Sequence, residues 1–158
     1  METEPQSQEK QAWIVSLRLL AATPKSAGQL AGKLADKGFA PEVIQKTIDR
    51  LQEKGILSDR AFAQGIVTRL TESNLSGNRR IAFELKRKGI PAKVREEVLE
   101  KLDPEAEANR ARELAQQKWE RFATLDRDKR QKRVYDFLIR RGFDFQIVRE
   151  VIEELGKK

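Results

Sequence analysis

Three stretches of the chain share one pattern of apolar and polar positions. They are residues 30–51, 81–102 and 134–155. Each has a glycine at its ninth position, and these glycines fall 51 and 53 residues apart. Apolar residues recur eight and four positions before the glycine, directly after it, and five, ten and thirteen positions after it. A period of this size predicts one structural unit that is built three times.

The shared apolar positions have helical spacing, and no stretch of the chain alternates as a strand would. In chain order they are Leu30, Leu34, Phe39, Val43, Ile48 and Leu51, then Ile81, Leu85, Ile90, Val94, Leu99 and Leu102, then Val134, Leu138, Phe143, Ile147, Ile152 and Leu155. We therefore predict an all-α fold of three tandem three-helix repeats that form an elongated, curved array, stabilised by contacts between neighbouring units.

The expected units are residues 10–57, 58–102 and 103–158, after a disordered tail at residues 1–9. The expected helices are about 11–22, 26–37, 41–54, 59–73, 78–88, 91–102, 104–122, 128–141 and 144–156. Glycines close the middle helices, because the residue just past a helix end often needs a positive φ. Helix starts are marked by a Ser26–Gln29 capping box, by Pro41 and by Asp103 with Pro104. In the first helix, Trp13, Leu17 and Leu20 form one apolar stripe.

The composition limits the classes of protein to which the chain can belong. The chain has 158 residues, is 36% charged and has a mean hydropathy of −0.67. No apolar run reaches the roughly 18 residues of a membrane span, and the acidic N-terminus does not resemble a signal peptide, so no membrane partner is expected. The absence of cysteine fits a reducing cytoplasm. Without histidine or a phosphate-binding glycine loop, we expect neither an enzyme nor a cofactor.

The net charge of +7 points to an acidic partner such as nucleic acid or a nucleoprotein. Residues 58–102 are the most basic third, with ten basic and six acidic residues. Their sharpest cluster is Arg79-Arg80 with Lys86-Arg87-Lys88, at the two ends of the middle helix. Positive charge at a helix C-terminus interacts favourably with the helix dipole. This structural role and a binding role explain Lys86, Arg87 and Lys88 equally well. Arg79 and Arg80 lie at a helix N-terminus, where the dipole disfavours cations, so a binding role is favoured for them.

The third unit repeats this arrangement with Lys132 and Arg133 early in its middle helix and Arg140-Arg141 at the end. Arg69 either extends over the core or faces the partner, and the first reading is slightly favoured. Trp13, Trp119 and Phe122 lie on apolar stripes and are expected in the core. Few aromatic residues accompany the basic clusters, which argues against single strands stacked on aromatic rings.

Four segments of the chain form a recognisable series. They are Ser26…Gln29-Leu30…Lys33-Leu34…Lys37-Gly38-Phe39, then Gly55-Ile56-Leu57-Ser58-Asp59…Phe62-Ala63…Arg69, then Gly77-Asn78-Arg79-Arg80-Ile81…Glu84-Leu85…Lys88-Gly89-Ile90, and finally Phe137-Leu138…Arg140-Arg141-Gly142-Phe143. In this order and at these spacings, the segments resemble the bacterial RecX family. The resemblance covers roughly residues 12–155. The chain departs from the family pattern at Ser58, at Gln29 and at Asn78, each at a helix start.

The resemblance implies three tandem three-helix repeats that bind the groove of the RecA filament on single-stranded DNA. It further implies inhibition of RecA ATP hydrolysis, strand exchange and co-protease activity. We expect a monomer, with the basic residues above as the contact face. The alternative is a protein that binds DNA directly through helices in the major groove. The third helices, where a DNA-reading helix would lie, are acidic and apolar, which argues against that alternative.

Overall fold

The computed structural model describes residue 1 and residues 3–157, and within these it has nine α-helices and no strand. The helices are α1 Glu4–Ala22, α2 Ala27–Asp36, α3 Pro41–Glu53, α4 Asp59–Thr68, α5 Asn78–Arg87, α6 Ala92–Glu100, α7 Pro104–Arg121, α8 Arg127–Arg140 and α9 Phe145–Gly156, with a π-helical segment Arg69–Ser73 after α4. The predicted all-α fold of three tandem three-helix units is confirmed. None of the described helices is long and apolar enough to cross a membrane.

Each unit has a hydrophobic core of its own. One buried cluster is built from α1–α3, a second from α4–α6 and a third from α7–α9. Every pair of α-helices that packs extensively belongs to a single unit. The sequence repeat is thus a repeat of small cores, and the contacts between units must be sought at the helix ends.

The apolar positions before each glycine were predicted correctly. The residues eight and four positions before it are fully buried in all three units. The third helices follow the pattern less closely: Val98 is buried in α6 beside a half-buried Leu99, and Val148 and Val151 take the buried positions in α9. These helices are turned slightly about their axes relative to α3, which buries the predicted residues Val43, Ile48 and Leu51 together with Ile44.

The three shared glycines lie just beyond the ends of α2, α5 and α8. Gly38, Gly89 and Gly142 have φ values of 90°, 77° and 85°. L-residues with a side chain rarely adopt this left-handed conformation, so glycine is needed to reverse the chain between the second and third helix of each unit. The predicted helix-closing role is confirmed.

The N-terminal tail differs from the expectation. Residues 4–9 belong to α1, because Thr3 and Gln6 form a capping box and Glu9 pairs with Lys46 of α3 at 3.1 Å. The prediction of disorder is therefore wrong for these residues, and residue 2 lies outside the described part of the chain, as does residue 158 at the end of the third unit. Leu17 is also more exposed than expected, because α1 turns Ala12 and Ser16 toward the core instead.

The middle helices of the units meet end to end. At the C-terminus of α8, the carbonyl of Arg141 accepts a hydrogen bond from the Gly77 N–H (2.9 Å) and the carbonyl of Gly142 accepts one from the Arg79 N–H (3.0 Å). Gly77 and Arg79 flank the start of α5. The first N–H groups of a helix lack hydrogen-bond acceptors within it. Here the carbonyl groups at the end of α8 supply acceptors at the start of α5.

The same arrangement joins α5 to α2. The Ser26 hydroxyl, which caps α2, donates a 2.8 Å hydrogen bond to the carbonyl of Lys88 just after α5. Lys88 and Arg141 are equivalent residues, each directly before its glycine. The row therefore runs from α8 through α5 to α2. These helices have 14, 10 and 10 residues, so they rise about 21, 15 and 15 Å along their axes.

A carboxylate from the following unit completes each junction. Asp59 Oδ1 of α4 accepts a hydrogen bond from the Ala27 N–H (2.8 Å), and Glu107 Oε1 of α7 accepts one from the Asn78 N–H (2.9 Å). Ala27 and Asn78 are the first residues of α2 and α5. An acidic side chain at a helix N-terminus also complements the helix dipole. The first helix of each following unit thus holds the middle helix of the unit before it.

Candidate functional site

The junction between α8 and α5 brings together two of the predicted basic pairs. Arg79 and Arg80 lie in the first turn of α5, and Arg140 and Arg141 end α8 and follow it. The approach is close: a Cβ built on Gly142 would lie 2.5 Å from the Cβ of Arg80. Residues that are about 60 positions apart in the sequence therefore form one cationic patch, which we call the junction patch.

The dipole argument against cations at the start of α5 changes in this setting. The C-terminal carbonyls of α8 lie against the N-terminus of α5, and a helix C-terminus carries partial negative charge. The guanidinium of Arg79 also stacks 4.3 Å from the centre of the Phe145 ring. Arg79 and Arg80 thus have a structural reason to be basic in addition to any binding role.

Arg141 differs from the other three arginines of the junction patch, which are exposed. It is half-buried, and burial lowers the pKa of its guanidinium, with a further lowering by the charge of Arg80. Its buried Nε has no hydrogen-bond partner among the residues that the structure describes, while its carbonyl accepts the bond from the Gly77 N–H. Arg141 is therefore partly a junction residue, whereas Arg79, Arg80 and Arg140 present their charge to solvent.

The other end of α5 carries Lys86, Arg87 and Lys88. Arg87 pairs with Glu84 at 2.8 Å, and this hydrogen bond, with the positive charge of Arg87, lowers the pKa of the largely buried Glu84 carboxyl. Lys86 is exposed. Lys88 is half-buried at the junction with α2, where its carbonyl accepts the Ser26 bond. Part of this cluster therefore stabilises the helix end, as the dipole argument allowed.

Arg69 lies beside Lys88 at the junction of the first two units. Both line a shallow cleft whose other walls are Thr23, Pro24, Ala61, Phe62, Gly65 and Ile66. Arg69 is exposed although it borders this partly apolar surface. It begins the π-helical segment, and its carbonyl accepts the Asn74 N–H at 3.1 Å. A contact between its charge and a partner stays a prediction.

A basic groove lies between α7 and α8, which we call the third-unit groove. Its walls are Lys118, Arg121, Phe122, Arg133, Asp136, Phe137 and Arg140. Lys118 and Arg121 were missed in the sequence, because α7 was analysed for its apolar stripe alone. Their spacing of three residues on one helix face was the available signal. Lys132, which was predicted, pairs with Asp136 at 3.0 Å on the exposed side of α8.

The aromatic rings are shielded by cations. Arg50 lies 4.4 Å from the ring centre of Trp13, Arg130 lies 4.0 Å from that of Trp119, and Arg133 lies 5.7 Å from that of Phe122. All three rings are half-buried and pack against the hydrophobic cores. The core interpretation of these residues is thus confirmed, with a cation–π contact added at each.

No group of three or more histidine, cysteine, aspartate or glutamate residues that could hold a metal ion occurs among the residues that the structure describes. The charged features that stand out are instead a row of basic surfaces along α5 and α8. The described part of the chain is thus an all-helical array of three tandem three-helix units, a class of architecture that offers an extended face.

Comparison with known proteins gives the family. Three family models match in order: RecX, first three-helix domain at residues 12–51, RecX, second three-helix domain at residues 58–99, and RecX, third three-helix domain at residues 105–152. Regulatory protein RecX of Streptomyces lividans is 34% identical over 157 residues, which cover 97% of this chain and 84% of that protein. Regulatory protein RecX of Mycobacterium leprae is 36% identical over 146 residues, 91% of this chain and 85% of that protein. The chain belongs to the RecX family.

Solved structures agree on the fold. The crystal structure of RecX from Lactobacillus salivarius superposes with a TM-score of 0.86 at 19% identity, over 96% of this chain and 99% of that one. A second crystal structure of a regulatory protein RecX gives 0.76 at 22% identity, over 92% of this chain and 72% of that one. The resemblance found in the sequence is confirmed, and a family of regulatory proteins is consistent with a chain that is not an enzyme.

Proposed function

We propose that this protein regulates RecA by binding the RecA filament on single-stranded DNA and inhibiting RecA ATP hydrolysis, strand exchange and co-protease activity. It would thereby limit recombination and the SOS response, as a cytoplasmic monomer without catalysis of its own. The membership in the RecX family supports RecA as the partner. The exposed basic surface along α5 and α8 supplies a face that is suited to an acidic nucleoprotein.

The junction patch is the observation that carries the proposal furthest. Arg79, Arg80 and Arg140 are exposed and come from two units, so a partner that contacts all three must span the junction. A filament offers such a partner, because it repeats its own subunits along an extended surface. A compact protein could cover the junction patch, but it would leave the rest of the basic row along α5 and α8 unused.

The test is RecA ATP hydrolysis on single-stranded DNA, titrated with the wild-type protein and with a double variant, Arg79→Glu and Arg80→Glu. The matched control is Lys93→Glu with Lys101→Glu, which changes the net charge equally at exposed positions around α6. We expect inhibition by the wild type at amounts below those of RecA, retained by the control and lost in the arginine variant. Circular dichroism and thermal melting establish that all three proteins are folded.

Three results would contradict the proposal. Absence of inhibition by the wild type would reject RecA regulation. Equal inhibition by both variants would reject the junction patch as the contact face. Inhibition that excess single-stranded DNA relieves would indicate competition for the strand instead of action on the filament.

Direct binding of single-stranded DNA is a second candidate, and the third-unit groove favours it. Four cations line the groove, namely Lys118, Arg121, Arg133 and Arg140, against Asp136, which is paired with Lys132. Arginine side chains can hold phosphate oxygens through two hydrogen bonds at once. Since the ring of Phe137 lies under Lys118 at 4.4 Å, the groove offers charge and little free aromatic surface. It would therefore hold the backbone of a strand without reading its bases.

A further inference from the structure

One large apolar side chain on the basic surface has no role in the fold. Phe83, in the middle of α5, is 63% exposed and belongs to none of the three hydrophobic clusters. Its helix neighbours Ile81 and Leu85 are fully buried. The ring therefore points away from the core. Leaving it in water gives up the stabilisation that burial of a phenylalanine provides.

The repeat shows that the fold does not require an apolar residue here. The position six residues before the shared glycine is Gly32 in the first unit, Phe83 in the second and Asp136 in the third. A glycine and a charged residue serve equally well in the same place on the middle helix. The aromatic ring is thus specific to the second unit, which is also the most basic one.

Cations surround the ring. Residues three and four positions away on a helix lie on the same face, and for Phe83 these are Arg79, Arg80, Lys86 and Arg87. All four are exposed. Phe83 consequently lies at the centre of a basic helix face with a cation at each corner. An apolar anchor within a polar rim is the arrangement found at the energetic centres of protein interfaces.

We propose that Phe83 inserts into an apolar pocket of a partner protein whose rim carries aspartate and glutamate carboxylates. This inference rests on the proposed function, since the partner would then be a RecA subunit of the filament. Arg79, Arg80 and Lys86 would pair with the acidic rim and exclude water from the pocket, beside Arg87, which is paired with Glu84. Recognition follows the mode in which one face of a helix lies in a groove of its partner.

A protein pocket fits the ring better than a nucleic acid base does. Binding of single strands by stacking uses several free rings along a groove. Phe83 is the sole aromatic residue of α5. The other ring with substantial exposure, Phe145, is already covered by the guanidinium of Arg79. A single projecting side chain among cations suits a concave apolar site with acidic edges.

The experiment measures binding to preformed RecA filaments on a labelled oligothymidine, and to the same oligonucleotide without RecA. The variants are Phe83→Ala, Phe83→Leu and the control Ile14→Ala, an exposed apolar residue on α1 of the first unit. We expect Phe83→Ala to raise the Kd for filaments about tenfold or more. Phe83→Leu should stay within about threefold of the wild type, because leucine still fills an apolar pocket. Ile14→Ala should bind as the wild type does.

The remaining outcomes separate the explanations. Filament binding by Phe83→Ala that equals that of the wild type would overturn the inference and leave RecA regulation intact. An equal loss in Phe83→Ala and Phe83→Leu, accompanied by weaker binding of the free oligonucleotide, would assign the ring to base stacking and also overturn it. A wild-type protein that does not bind filaments would remove the proposed function and this inference with it. Thermal melting should be unchanged in every variant, since Phe83 and Ile14 are exposed and belong to none of the three hydrophobic clusters.

Discussion

The N–H of Gly77 donates a 2.9 Å hydrogen bond to the carbonyl of Arg141, so two residues from different units meet through their backbones. No side chain would fit between them, because a Cβ on Gly77 would lie 2.2 Å from the carbonyl carbon of Gly142. The contact places the basic start of α5 against the basic end of α8. The geometry of the junction patch thus depends on the absence of side chains at two glycines.

Gly142→Ala should destabilise the protein by roughly 2–4 kcal/mol. The new methyl group meets the backbone nitrogen and Cβ of Arg80 at 2.5 Å, and φ is +85°. Gly38→Ala shares the positive φ, at +90°, but meets no atom within 4 Å, so it measures backbone strain alone. Denaturant unfolding of both variants gives the free energies of unfolding.

A third variant, Gly32→Ala, measures the effect of an added methyl group on the free energy of unfolding where it meets no other atom. Gly32 lies inside α2, and a Cβ there would meet nothing within 4 Å. Gly32→Ala should therefore stabilise the protein by about 0.5–1 kcal/mol, as alanine does within a helix. Equal losses in Gly142→Ala and Gly38→Ala would show that the junction is less closely packed than described.

Removal of the carboxylates that cap neighbouring units should also be costly. Asp59→Ala leaves the Ala27 N–H without its acceptor, and Glu107→Ala does the same for the Asn78 N–H. Each loss should cost about 1–2 kcal/mol in denaturant unfolding. The Glu107 change should be the larger, because its charge offsets the burial that lowers the pKa of Arg110.

The control for the capping carboxylates is Glu113→Ala, an exposed change on α7. Its effect should stay within about 0.5 kcal/mol. A loss for Glu113→Ala as large as that for Glu107→Ala would mean that the general acidity of α7, and not the bond across the junction, supports the array.

Glu84→Gln should lower the melting temperature at pH 7 and have less effect in acid. The hydrogen bond to Arg87 lowers the pKa of the Glu84 carboxyl in the folded protein. The stabilisation is therefore present above the ordinary glutamate pKa of about 4.3, and it is lost as the pH falls through the lower folded value. The difference in melting temperature between the wild type and Glu84→Gln should be smaller near pH 3 than at pH 7. A difference that grows toward acid would contradict the assignment. The matched control is Glu96→Gln, an exposed change on α6.

The third-unit groove can be tested through the salt dependence of single-stranded DNA binding. Each phosphate contact that is lost lowers the slope of log K against log salt by about 0.7. Lys118→Ala with Arg121→Ala should thus reduce the slope by about 1.4 if both touch phosphate. The same change at Lys93 and Lys101 around α6 should leave the slope unaltered. Equal slopes in the two double variants would exclude the groove as a phosphate site.

The fold could be predicted because short-range patterns in the sequence indicate it. Leu30, Ile81 and Val134 hold equivalent places in three helices, and all are fully buried. Helical spacing and a closing glycine operate over one or two turns, so the sequence carries them directly. Leu17 was misplaced for a related reason: the stripe of a helix is broad, and only the packing of α1 decides which edge turns inward.

The candidate site was predictable in its residues but not in its arrangement. Arg79 and Arg141 stood out as basic, yet nothing in the spacing indicates that their helix ends meet. That contact depends on how one unit docks on the next, through Gly77 and Gly142, which are 65 positions apart. Phe83 was overlooked because a single apolar residue on a charged helix carries no periodicity. It becomes visible only when its exposure is known.

The end-to-end row also gives the molecule a polarity. The middle helices α8, α5 and α2 follow one another with the C-terminus of one against the N-terminus of the next, so the order of C-terminus and N-terminus is the same at both junctions. One end of the row is the start of α8, and the other is the end of α2. The two ends are chemically unlike, and a partner that has a direction of its own would meet this protein in a single orientation.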